Sequence, residues 1–330
     1  VLRAQNDKPA LWWAIDFNSI FDNREGDQKY APSKTFFQTQ LAPEVGLTMQ
    51  GGKHRLAGGV VWTQPIGCEW DGYRLSPTLY YRYTGTKWQM SMGMFPRTQL
   101  RRQLPNYIWS DSTYYTQHNI RGALVQYTAP DGFFEAIVDW RGMQTERQRE
   151  AFNIIAQGEW QSQGSIFVVG GLGMMNHLAR SKNAPDDQFV VDDFMLNPWV
   201  GVELGSRIEA MDSLALRVGS LTNLARDRAS GSGSWKSATG LWLDMSAQWR
   251  WLGIKNTLYY GNKPLYPFYT RHGTLLDQGE PMYASKYFNR TTVSATILRT
   301  GFMHLKASLD FNLAEHNFSF YQRLQLNIHF

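Results

Sequence analysis

The chain has 330 residues, 43% of them hydrophobic and 14% aromatic, with 33 basic residues set against 28 acidic ones. Its mean hydropathy of −0.41 is that of a water-soluble protein, and no run approaches the roughly 18 apolar residues that a spanning helix needs. The charges are scattered, which excludes a basic block for gripping nucleic acid, and the single cysteine, Cys68, cannot form an internal disulfide.

Along the chain the recurrent pattern is period two, which puts alternate side chains on opposite faces of a strand. Leu11, Trp13, Ile15 and Phe17 share one face while Asp16 and Asn18 take the other. From Phe37 to Met49 the apolar positions Phe37, Leu41, Val45, Leu47 and Met49 alternate with Gln38, Gln40, Glu44 and Thr48. The alternation returns in Trp88 to Met94, in Phe134 to Trp140, in Leu241 to Trp249 and in Met303 to Phe311. Short turns are predicted at Gly51 and Gly52, Gly85, Asp131 and Gly132, Gln163 and Gly164, Ile208 to Asp212, Trp251 to Gly253, and Thr300 and Gly301. Between them fall longer loops near 21–35, 65–74, 97–118, 142–149, 177–193, 223–236, 262–283 and 313–317. Seven turns and eight loops require sixteen strands, or fourteen if one hairpin merges.

A strand buried in hydrocarbon cannot leave its backbone amides unpaired, so such a sheet must close. The fold class is therefore all-β: a closed antiparallel transmembrane β-barrel in which residues 9–20 pair with 317–330. One domain is expected, with 1–8 a short N-terminal segment and 9–330 the barrel. In the last strand Phe318, Phe320, Leu324, Leu326, Ile328 and Phe330 form the outward face, broken only by Gln322.

This ending resembles the C-terminal assembly signal of Gram-negative outer-membrane proteins, with Leu324, Leu326, Ile328 and Phe330 in the matching positions. The resemblance implies a porin-like protein of the bacterial outer membrane, and the aromatic-rich strands with long charged loops suggest a Bacteroidota type; the even strand count puts both termini in the periplasm, and no signal peptide is read at residue 1. It further implies contact with outer-membrane lipid and lipopolysaccharide, recognition by the barrel-assembly machinery, and room for other outer-membrane proteins or lipoproteins as stable partners.

The predicted lumen carries both signs of charge. Asp16, Glu44, Arg55, Arg82, Arg121, Glu135, Asp139, Arg141, Glu159, Glu203, Arg217, Asp244, Lys255, Lys306, Asp310 and Arg323 are all expected to point inward. Bulky residues are expected there too: Trp12, Phe133, Ile137, Phe167, Trp199 and Trp242. The loop from Pro96 to Asn119 carries Arg97, Arg101 and Arg102. Folded inward, it would face these arginines to an acidic wall and constrict the pore around Glu135, Asp139, Arg141 and Asp244; left outside, its arginines are simply solvated.

No catalytic residue, cofactor or metal is expected. The seven histidines lack the short spacing of a metal site. The run Tyr114-Tyr115-Thr116-Gln117-His118-Asn119 is the nearest approach to the Ser, His and Asn set of outer-membrane phospholipases, with no serine placed as nucleophile. The chain is thus read as a non-enzyme. Two roles follow: a passive channel for small polar solutes, or a non-conducting barrel subunit of an uptake or protein-insertion complex.

Overall fold

A computed structural model describes residues 8–26, 29–31, 33–209, 211–228, 233–264, 272, 276 and 278–330. Residues 1–7 of the expected N-terminal segment, 229–232 of the predicted 223–236 loop, and 265–271, 273–275 and 277 of the predicted 262–283 loop lie outside this set. Sixteen strands form one closed antiparallel sheet in simple up-and-down order, with the first pairing the last. They are β1 (Ala10–Gly26), β2 (Lys34–Met49), β3 (His54–Pro65), β4 (Arg74–Thr84), β5 (Trp88–Pro96), β6 (Asn119–Ala129), β7 (Gly132–Gly142) and β8 (Ala151–Gln161), followed by β9 (Phe167–Leu178), β10 (Val191–Glu203), β11 (Ser213–Asp227), β12 (Lys236–Trp249), β13 (Leu252–Gly261), β14 (Tyr287–Arg299), β15 (Met303–Ala314) and β16 (Asn317–His329).

Closure is made by β1 and β16, in register from Asp16 opposite His329 to Gly26 opposite Ser319. It is completed by paired backbone bonds between Ile15 and Phe330 at 3.0 and 3.1 Å. Among the described residues no helix is long and apolar enough to cross a membrane, so crossing is by strands.

The outward face is an apolar belt in which Leu11 and Met92 are 72% and 71% exposed. Short turns gather at the barrel end that carries Ala10 and Phe330, and the longer loops gather at the other. Several strands run past their predicted limits: β1 continues through Asp22 and Arg24 to Gly26, where a loop from residue 21 was expected. There the strand has polar residues on both faces, so the apolar alternation that marks a membrane strand fades before the ladder does.

Two inward assignments are corrected. Phe167 lies on the outward face, 67% exposed. Arg121 is also exposed, sharing its side of the sheet with Met94, its cross-strand partner. The cause is an inverted pattern: on β6 the inward face is apolar, with Ile120 and Leu124 fully buried. These two join Phe95, Ile137, Ile155 and Trp242 in a hydrophobic core inside the barrel, together with Leu104, Tyr107, Ile108 and Trp109 from the loop after β5 and Met282 and Tyr283 from the segment before β14. A barrel filled by its own loops needs apolar lining, so polarity alone no longer tells inside from outside. At the same place Gly93 and Gly122 face each other across β5 and β6 with φ of +122° and +156°. A Cβ on either would sit 2.2 to 2.3 Å from a neighbouring strand's carbonyl oxygen, so only glycine permits this approach.

Candidate functional site

The loop between β5 and β6 enters the lumen. It contains one short helix, α1 (Asp111–Thr116), whose N-cap Ser110 accepts from the Thr113 N–H. Trp109 lies flat under the Arg97 guanidinium, 3.7 Å from ring centre to carbon, and edge-on to Tyr114. The Tyr107 hydroxyl donates to Asn197 on β10 at 2.7 Å.

Charge fixes this loop to the wall. Asp111 accepts from Arg290 on β14 at 2.5 Å and from Arg323 on β16 at 2.7 Å, and both guanidiniums also hold Asp310 on β15. Burial pushes the Asp111 carboxyl up, but the guanidiniums of Arg290 and Arg323 outweigh it and hold the group well below the usual carboxylate range. Glu280, which accepts from the Asp111 N–H at 2.9 Å, is pushed up by burial and then by the Asp111 charge.

The predicted lumen residues fall into several places. Glu135 on β7 accepts from the backbone N–H groups of Arg101 and Arg102 at 2.9 and 3.3 Å, so it grips the loop's backbone rather than its guanidiniums. The Arg102 side chain reaches Glu159 on β8, and Arg97 is buried against Asp139 at 3.5 Å. Arg141 reaches the Leu276 carbonyl at 3.2 Å, near the long-loop end. Asp244 on β12 has Thr257, Lys255 and Arg217 around it, and Arg217 links it to Glu159 at 3.9 Å. Below the loop a cavity of about 1300 Å³ runs to the β14–β15 turn and includes His118, Asp244, Lys306 and His329 in its lining.

Replacing Asp111 by Asn removes the carboxylate that joins the loop to Arg290 and Arg323, leaving them Asp310 and, for Arg290, Glu280 at 3.8 Å, an expected cost of about 3 to 5 kcal/mol to loop docking. Hydrogen exchange over residues 97–118 is expected to accelerate in Asp111→Asn. Unchanged protection there would show that the ion network does not hold the loop.

A second constellation lies on the outer face, near the long-loop end. On β9 His177 sits in register between Phe152 of β8 and Asp192 of β10, and Asp192 is in turn opposite Arg226 of β11. These positions share a face with Ile154, Val169, Leu196 and Val200, all exposed to the hydrocarbon side. The His177 Nδ1 is 3.3 Å from Asp192 Oδ1, with the donor set by the tautomer. Asp192 also accepts from Arg226 at 2.7 and 3.0 Å and from Arg228 at 2.9 Å. Aromatic rings frame the group. Phe152 stacks on Trp140 at 5.2 Å and meets the His177 ring at 5.1 Å, while Trp235 lies 4.5 Å from the Arg226 guanidinium. Such rings belong at the level where a membrane's apolar interior meets its headgroups. Towards the barrel's middle the same outward face is flattened by Ala156, Gly158, Gly171, Gly173 and Pro198.

An imidazole held by a carboxylate has one nitrogen fixed and the other free for proton transfer, and two adjacent guanidiniums favour phosphate or a developing oxyanion. Sequence reasoning missed this group. His177 and Asp192 lie on opposite sides of a long loop, and only the β9–β10 register makes them neighbours. The one available signal was two acids, Asp192 and Asp193, opening a strand beside a membrane.

The solved structures that resemble this barrel include three porins of Pseudomonas aeruginosa. OpdL matches with a TM-score of 0.53 at 12% identity, OccK1 (OpdK) with 0.54 at 8%, and OccK8 (OprE) with 0.55 at 10%; each match covers 97% of this chain and 98% of the other. At these identities the likeness is one of fold. With the closed sixteen-strand sheet it establishes a porin-like β-barrel of the bacterial outer membrane. No curated protein matches the chain. A family model described as lipid A 3'-O-deacylase-type matches residues 4–330. That match overturns the expectation of a non-enzyme, since the family is associated with an enzyme activity. The expectation rested on seeking a nucleophile and base close in sequence.

Proposed function

This chain belongs to the lipid A 3'-O-deacylase-type family, and on that premise we propose that it hydrolyses an acyl ester of lipid A from the outer face of its barrel. The observation that carries the reading is the His177–Asp192 pair, outward-facing and level with an aromatic girdle. With the termini in the periplasm, the long-loop end lies outside and the pair meets the outer leaflet, where lipopolysaccharide resides.

In this reading Asp192 orients His177 through Nδ1, leaving Nε2 to take a proton from water as the water oxygen attacks the ester carbonyl. The tetrahedral oxyanion forms in the field of Arg226 and Arg228. Collapse breaks the bond to the sugar oxygen, which recovers the proton from His177 and leaves as an alcohol, while the fatty acid releases the second water proton to solvent and departs as a carboxylate. The flat stretch of Ala156, Gly158, Gly171, Gly173 and Pro198 gives an acyl chain room against the wall. Purified protein incubated with lipid A in detergent is expected to release fatty acid and yield a product lighter by one acyl group, read by mass spectrometry. Intact lipid A after prolonged incubation would sink this reading.

A second reading, a passive channel for small polar solutes, is favoured by the cavity of about 1300 Å³ beneath the loop and its lining by both signs of charge. Its passage depends on the docked loop, so stepwise conductance in planar bilayers is expected to be small for the native chain and larger for Asp111→Asn. Silence from both variants would exclude it.

A further inference from the structure

The deacylase reading leaves the lumen without a role, yet one wall of its cavity is arranged for a ligand. Lys255 of β13, Thr292 of β14, Lys306 and Ser308 of β15, and Arg323 and Gln325 of β16 all line it. In register Lys306 lies opposite Gln325, and Ser308 opposite Arg323, so they form one continuous patch of donors.

The acids near this patch are already engaged. Asp310 accepts from Arg290, Arg323 and Thr292, and Asp244 accepts from Thr257 beside Lys255 and Arg217. Lys306 is different. Among the described residues no carboxylate lies within ion-pair distance of it; of the charges that act on it, Arg323 and Lys255 have its own sign, and the carboxylate opposing them, Asp310, is already held by Arg290 and Arg323. A lysine lining an open cavity, with cations beside it and hydroxyl and amide donors at its base, favours an anion there.

We propose that this cavity is a binding site for a small multivalent oxyanion, bearing phosphate or carboxylate groups, centred on Lys306 and entered from the short-turn end. The cavity reaches Thr300, Gly301 and Phe302 of the β14–β15 turn, so entry there avoids the docked loop. Its volume exceeds the roughly 300 to 1000 Å³ of ordinary small-molecule sites, so the ligand is held by charge rather than by close fit. The site lies on the opposite side of the wall from His177 and stands whether or not the chain deacylates lipid A.

The test is calorimetric titration of the full chain in detergent with inorganic phosphate and, separately, with citrate. Saturable binding of at least one is expected, weakened by added salt and about tenfold weaker in Lys306→Gln, as loss of one charged hydrogen bond implies. Lys306→Arg is expected to keep the affinity and Lys255→Gln to lose part of it. Lys53→Gln, in a turn outside the cavity, is the charge-matched control and is expected to bind as the native chain does. The two titrants decide whether phosphate or carboxylate is preferred. Binding of neither, or equal binding by Lys306→Gln and the native chain, would overturn the proposal.

Discussion

Replacing His177 by alanine is expected to lower fatty-acid release from lipid A by about 100- to 10 000-fold, the range that a positioned general base contributes. The barrel should fold unchanged, because His177 is an outward side chain at a strand end and its backbone pairs with Phe152 and Asp192 whatever the side chain. Asp192→Asn is expected to be milder towards water activation but to scatter Arg226 and Arg228, which both converge on that carboxylate. A third variant tests the guanidinium: His177→Ala should lower kcat with little change in KM, and Arg226→Gln should also lower kcat, as loss of a charge beside the oxyanion requires. A His177→Ala protein that still deacylates at the native rate would remove the outer-face site and leave the family's chemistry to be sought elsewhere on the chain.

The barrel itself was legible in the residues because the solvent reads it directly. Each crossing must show lipid an apolar row, and rows such as Leu241, Leu243 and Met245 do so with period two. What faded was phase. Where the interior is also apolar, as at Ile120, Leu124 and Ile137, the pattern no longer says which row faces the membrane, and Arg121 was turned the wrong way. Above the membrane, where Asp22 and Arg24 pair inside while Asn23 and Glu25 face out, both rows are polar and the strand reads as loop.

The site was less visible still. Glu135 could be placed in the lumen from its strand, but its partners are two backbone amides 34 and 33 residues earlier in the chain, with Gln126 and Gln157 from the neighbouring strands, and no local pattern joins them. Met282 and Tyr283 enter the same core from the segment before β14, and nothing local marks them as interior. His177 and Asp192 meet only because β9 and β10 pair at that register, a property of the hairpin rather than of either residue. Period-two alternation fixes which face a residue takes; it carries no information on which residue of the next strand stands beside it.

That dependence on register makes the seam between β1 and β16 the place where a small deletion has the largest effect on folding. Removing residues 324–330 deletes six register pairs, from Phe21 opposite Leu324 to Asp16 opposite His329, together with the paired bonds between Ile15 and Phe330. It also strips β15 from Met303 to Ala307 of its partner. In hydrocarbon each freed amide or carbonyl costs several kcal/mol, so no closed sheet is expected, and the truncated chain should lack the heat-modifiable, protease-resistant band of a folded barrel. Phe330→Ala is the informative contrast. It removes the ring stacked on Phe302 at 5.6 Å while leaving the backbone pair with Ile15 in place. If closure is what the last strand supplies, Phe330→Ala folds with reduced heat resistance and the truncation does not fold at all. If instead both fail alike in cells but Phe330→Ala refolds normally from urea into detergent, the terminal ring serves recognition by the assembly machinery, and closure rests on the backbone ladder alone.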